Sequence, residues 1–113
     1  MEIIENTLKF SRLEEMAAAL FGNMVKAVVD IERGLLAVDA ELHSDLEAVL
    51  LEAGSRQQDL WGINLYPELP PGEFVEFDSM INIRPSQGNR SRGVERADIR
   101  ERIVAIVRQR IVP

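Results

Sequence analysis

Met24 to Leu42 reads MVKAVVDIERGLLAVDAEL, and how this stretch pairs with itself decides the fold. Two runs rich in Val, Leu and Ala, MVKAVVDIE and LLAVDAEL, flank Arg33-Gly34. Such runs around a glycine predict an antiparallel hairpin. A two-residue turn at Arg33-Gly34 sets Ile31 opposite Leu36, Val29 opposite Val38, Ala27 opposite Ala40 and Val25 opposite Leu42. One face of the pair is then wholly apolar. The other carries Lys26, Val28, Asp30 and Glu32 against Glu41, Asp39, Ala37 and Leu35. A three-residue loop would mix the two sets, because a slip of one residue reverses every side chain. Arg-Gly is a less usual pair than Asn-Gly for this turn, but the burial pattern favours it.

Downstream, DLWGINLYP and FVEFDSMINIRP predict a second strand pair. Trp61, Ile63 and Leu65 share parity, as do Val75, Phe77, Ile81 and Ile83, and these should join the same core. Leu60, Gly62, Asn64 and Tyr66 point the other way, with Glu76, Asp78, Met80, Asn82 and Arg84. The linker PELPPGE is a turn region that cannot extend either strand far. Residues 2–5 suit a weak edge strand.

Three helices are predicted near 12–21, 45–53 and 99–111. Ser11-x-x-Glu14, Ser44-x-x-Glu47 and, more loosely, Asp98-x-x-Glu101 read as capping boxes. Apolar stripes follow each at helical spacing, and Gly22 and Gly54 read as C-terminal caps. The expected fold is a single α+β domain over 1–113, in the order α-β-β-α-β-β-α. Its sheet is four-stranded and largely antiparallel, with the helices on one face. The opposite face is then polar and open. It displays Asp30, Asp39, Glu41, Asn64, Glu76, Asp78 and Asn82, beside Lys26 and Arg84.

Composition narrows the function classes. The 113 residues suffice for one core without disulfides or metal. There is no cysteine, and His43 is the one histidine, so thiolate chemistry and paired-histidine metal motifs are excluded. No apolar run approaches a membrane span and no leader is evident, so the expected compartment is the cytoplasm. The net charge of −6 conceals a split: residues 1–83 hold 5 basic and 16 acidic residues, whereas residues 84–113 hold 8 arginines and 3 acids. That change of sign suggests an anion site, or a basic segment lying against acids of its own fold or of a second subunit in a homodimer.

The segments VKAVVDIE, ELHSDLEAVLLEAGSRQQDLWGINLYPE and EFDSMINIRPSQGNRSRGVE resemble a family of small prokaryotic proteins built on a domain of unknown function. The resemblance spans the chain and implies no activity, cofactor or catalytic residue.

The change of sign begins at Arg84–Gly93, RPSQGNRSRG. Gly88 and Gly93 let N–H groups turn toward an anion. Ser86, Gln87, Asn89 and Ser91 add neutral donors, and Arg84, Arg90 and Arg92 add planar forks suited to phosphate or carboxylate. The bland alternative is that these arginines pair with the chain's own carboxylates. Asp30, Asp39, Glu41, Glu76 and Asp78 suit Mg²⁺ or Mn²⁺ if they converge, though alternating acids are more often a strand's wet face. Two functions stay open. One is a binding or assembly module that uses the loop and polar face against a phosphate-containing ligand or partner subunit, with no cofactor. The other is an enzyme acting on phosphodiesters such as RNA, with His43 or Glu76 moving protons and Arg90 beside Arg84 and Arg92 stabilising charge. His43 is expected to be neutral at the start of its helix.

Overall fold

The computed structural model describes residues 1–113. The chain runs β1 (Glu2–Ile4), β2 (Leu8–Lys9), α1 (Phe10–Ala19), β3 (Val25–Asp30), β4 (Leu35–Val38), α2 (His43–Glu52), β5 (Leu60–Leu65), β6 (Val75–Glu76), α3 (Ala97–Arg110) and β7 (Ile111–Val112). The main sheet has five strands in the order β1-β4-β3-β5-β6, every pair antiparallel. The edge strand β1 brings the count to five rather than four. A separate parallel pair joins β2 to β7 and ties the two ends of the chain together.

The hairpin forms with a wider turn than Arg33-Gly34 alone. Asp30 pairs with Leu35, Val29 with Leu36 and Ala27 with Val38, leaving four residues in the loop. The reason is Asp30. Its carboxylate accepts hydrogen bonds from the N–H groups of Glu32 and Arg33, both at 2.9 Å. Gly34, at φ 68°, returns its N–H to the Asp30 carbonyl at 2.9 Å. An aspartate that bonds the backbone two and three residues on stabilises its own turn. The register therefore differs from the predicted one by two residues. A shift of two preserves parity, so the predicted face assignment survives. β4 ends at Val38 because Asp39 takes φ 75°, a left-handed conformation that aspartate tolerates better than most residues. Ala40 and Leu42 thus never pair with β3.

Val25, Ala27, Val29, Leu36, Val38, Trp61, Ile63 and Leu65 form one face, packed under Leu13, Met16 and Ala17 of α1 and Ile103, Ile106 and Val107 of α3. The helices do not all lie there. α2 covers the opposite face, where Leu46 and Leu50 pack on Val28, Leu35, Ala37 and Leu60. The second parity set holds enough aliphatic surface to bury a helix, so that face is neither open nor wholly polar.

The expected capping boxes do not form. Lys9, Leu42 and Arg96 precede the helices without side-chain caps, and each helix starts about two residues early. Ser11 and Ser44 fall inside the first turn. At α1 the pairing of β2 with β7 carries the chain straight into the helix. The C-terminal signals hold better. Gly54 has φ 99°, its N–H donates to the Leu51 carbonyl and that of Ser55 to the Leu50 carbonyl, a Schellman cap. This cap delivers the Ser55 hydroxyl to the buried Asp30 carboxylate at 2.6 Å, and Arg33 donates to Ala53 and Ser55 alongside.

The second strand pair is the largest departure. β6 meets β5 only at Asn64–Glu76 and Leu65–Val75. Beyond it the chain leaves the ladder, and Asn82 takes the place of a strand. Its amide accepts from the Gly62 N–H at 2.8 Å and donates to the Gly62 carbonyl at 2.9 Å. A Cβ on Gly62 would lie 2.5 Å from Ser79 Cβ, so glycine is what lets this segment rest on β5. Val75 and Phe77 still pack against the α1/α3 core, whereas Ile81 joins the α2 side and Ile83 is exposed.

Candidate functional site

The Arg84–Gly93 loop is built around buried amides. Arg84 and Asn89 pair through both backbone groups, around a 3-10 turn at Pro85–Gln87 that closes on Gly88 at φ 80°. The Asn89 amide donates to the carbonyls of Asn82 (2.7 Å), Gly93 (2.8 Å) and Ser91 (3.2 Å), and accepts from the Glu95 N–H at 2.9 Å. Asn82 donates onward to the Arg92 carbonyl at 2.9 Å. The N–H groups of Arg90 and Ser91 do converge on an anion, and that anion is the chain's own Glu95. Its carboxylate accepts from them at 2.5 and 3.0 Å, which holds its pKa below the usual range. Ser86, Gly88 and Ser91 lie exposed around this turn, and Gln87 reaches across to the Gln58 carbonyl at 3.1 Å.

The arginines turn inward, chiefly to carbonyls rather than carboxylates. The Arg84 guanidinium lies 4.2 Å above the Trp61 ring and donates to the carbonyls of Gln57 and Leu60. Burial lowers its pKa, against the pull of Glu47 and Asp59. Trp61 is core, as its parity predicted, with Arg84 as its lid. Arg100 donates to Val94 and Glu95, Arg102 to Ile31, and Arg110 to Gly34 and Asn6. The bonds of Arg102 and Arg110 pin α3 to distant loops, and those of Arg100 hold the segment just before it. Arg92 does meet a carboxylate, Asp78, at 2.6 Å, and Arg96 meets Asp98 at 2.7 Å. The Arg90 side chain has no partner.

One polar pocket, of about 190 Å³, opens where α2 begins. Lys26 and Asn64 reach it from β3 and β5, His43 and Ser44 from the first turn of α2, and Asp78 and Arg92 from the irregular segment. His43 Nε2–H donates to the Ile63 carbonyl at 2.8 Å. Burial is the largest influence on this imidazole and lowers its pKa; the Ile63 carbonyl, Asp78 and Asn64 oppose that, and Lys26 reinforces it. Asn64 is only 6% exposed; its Nδ2 donates to Glu76 Oε1 (2.8 Å) and to the Asp78 carbonyl (3.2 Å). Its Oδ1 is buried with no donor. Tyr66 donates to the same Glu76 oxygen at 2.9 Å, and burial and then that carboxylate raise its pKa.

The proposed polar sheet face therefore divides. Asn64 and Asp78 line the pocket and Glu76 holds Asn64. Asp30 is consumed by its turn, Asp39 ends β4, Glu41 is exposed off the sheet, and Asn82 is buried as a strand substitute. No group of three His, Asp or Glu side chains comes together in a way that suits a metal ion. Of the three residues considered for catalysis, His43 lies in the pocket, Glu76 borders it through Asn64, and Arg90 is outside it. From sequence, Lys26 was placed on the polar face and Ser44 in a capping box, but neither was assigned to a site, and Ser79 was not singled out. The α2 dipole and the parity of Lys26 were the available signals. Glu95 was missed as the partner of the loop, although an acid two residues past Gly93 was there to be weighed.

No curated protein and no solved structure matches this chain. Residues 2–110 match the model of a family described as Protein of unknown function (DUF5674), and the chain is a member of that family.

Proposed function

We propose that the protein is a small-ligand binding module whose site is the pocket at the start of α2. The observation that carries this reading is the pairing of charge and vacancy of hydrogen bonding there. Lys26 and Arg92 bring positive charge to the pocket, of which Asp78 offsets one unit, while the buried Asn64 Oδ1 lacks a donor. A buried acceptor without a partner costs about 1–3 kcal/mol, and a ligand N–H or O–H would recover that. The α2 N-terminus favours the same negative end of a ligand that Lys26 and Arg92 favour. The ligand class is a small molecule with a phosphate or carboxylate beside an N–H or O–H donor. The Arg84–Gly93 loop then acts as scaffold, with Arg92 its contribution to the site.

A thermal-shift screen with inorganic phosphate, nucleoside monophosphates and amino acids tests this. Ligand at about 100 times its Kd stabilises the native state by about 2.7 kcal/mol, a readily measured rise in Tm. Arg92→Ala and Lys26→Ala should abolish the rise with little change in unliganded Tm, since the Arg92–Asp78 pair is about half exposed. A flat screen, or shifts that survive both substitutions, removes the basis for the proposal.

A second reading is favoured by the placement of His43 and Arg92 in one pocket: phosphodiester cleavage, with His43 as proton acceptor and Arg92 balancing phosphorane charge. Divalent-metal assistance would enter through Asp78 and the substrate phosphate. Cleavage of short RNA by purified protein, lost in Arg92→Ala, separates it from simple binding.

A further inference from the structure

On the far side of the molecule an apolar groove of about 490 Å³ runs between α3 and the turn that precedes β6. Phe10, Leu69, Phe74, Val104, Val107 and Ile111 form its walls. This volume lies within the range of small-molecule sites. Two prolines of the 67–71 turn line the rim, so that side of the groove is stiff before any ligand arrives.

The charge in the groove is what identifies an occupant. No Asp or Glu lines it, although the chain has 19 of them. Its one charged side chain is Arg108. The other basic residues of α3 are held by carbonyls, but Arg108 has neither a hydrogen-bond nor an ion-pair partner. Arg108 also borders a second hollow, shared through Val104, where the polar side chains of Arg100 and Glu101 begin. Arg108 thus lines both the apolar groove and the more polar hollow beside it. Apolar walls bordered by one exposed, unpaired guanidinium complement an apolar body with one anionic head.

We propose that this groove binds an apolar monocarboxylate, its chain along Phe10, Phe74 and Val107 and its carboxylate on Arg108. A guanidinium takes a carboxylate through two parallel hydrogen bonds, which an alcohol cannot reproduce. The site is separate from the α2 pocket, so the two ligands bind independently.

Decanoate, decanol and decylamine, each below its aggregation limit, are titrated against the full chain by calorimetry. Decanoate binds saturably, one per chain, at least about tenfold more tightly than decanol, the factor that about 1.4 kcal/mol sets. Arg108→Gln removes that advantage and leaves decanol unchanged. Arg108 is exposed, so this variant folds. Val104→Trp, which fills the groove, weakens both. No saturable binding, equal affinity for decanoate and decylamine, or an Arg108→Gln variant that binds decanoate as before overturns the proposal. So does light scattering that shows a dimer which Val104→Arg dissociates, because the groove would then be covered by a second copy.

Discussion

The two faces of the sheet are built by different means. Under α1 and α3 lies an apolar cluster of 17 buried residues, with stability drawn chiefly from burial. Under α2 the apolar cluster has only seven, and a chain of buried polar groups completes it: Asp30 with Ser55, Asn82 with Gly62, and His43 with Ile63. The first face tolerates exchange of one aliphatic residue for another, because packing is non-directional. The second does not, because each buried donor or acceptor has one geometry and leaving it unpaired is costly. The ligand pocket lies on the second face, where polar groups are already fixed in direction.

The sharpest way to break this contrast is at Asn82. Asn82→Leu strands the Gly62 N–H and two carbonyls, and should cost about 4 kcal/mol in urea denaturation. Asn82→Asp should be nearly as damaging, since it keeps the shape and loses the donors. On the other face Leu13→Ala should cost about 3 kcal/mol and Leu13→Met under about 1.5. If Asn82→Asp proves as mild as Leu13→Met, the two faces do not differ in kind. Gly62→Ala comes next, at about 2 kcal/mol, because its Cβ meets Ser79 Cβ at 2.5 Å. A paired Ser79→Gly change should restore part of that loss.

The smallest effect is a pH dependence confined to the α2 face. In the unfolded chain His43 takes up a proton near pH 6.5, whereas burial lowers the pKa of the native imidazole. The unfolded state then binds more protons, so stability falls as pH drops below about 6.5 and levels once the native imidazole also titrates. Glu95 and Asp98, with lowered pKa values, lose their contributions only at more acidic pH, below their ordinary 4.5 and 3.8. Urea midpoints measured from about pH 8 to about pH 5 should slope in the native chain and flatten in His43→Gln. Parallel slopes in the two proteins would place the dependence elsewhere.

Much of the architecture was legible because it follows from period. The alternation in β3, β4 and β5 assigned every core residue of those strands to its face, and the prediction survived a register error of two because parity did. The helical stripes and the glycines at 22 and 54 placed three helices within about two residues, the accuracy such boundaries allow. The error was to treat Val28, Leu35, Ala37 and Leu60 as incidental members of a polar face. Together they are a second apolar surface, and α2 takes it. Residues 77–96 were the least legible, since their backbone bonds run to side-chain amides at positions that no periodicity marks.

What the sequence determined by itself was therefore the three helices, the strands of the first hairpin and β5, the face each residue of those strands occupies, and the sign change at Arg84. Those depend on local spacing and composition, which a linear text contains. Only the tertiary structure decided that Asp30 closes a turn, that Asn82 stands in for a strand and that Glu95 fills the loop's own anion site. It alone decided that Arg92 shares a pocket with His43 while Arg108 faces an apolar groove unpaired. Each of these turns on which donor meets which acceptor, many of them between residues far apart in the chain, and hydrogen bonds and ion pairs act over a few ångströms of space, not of sequence.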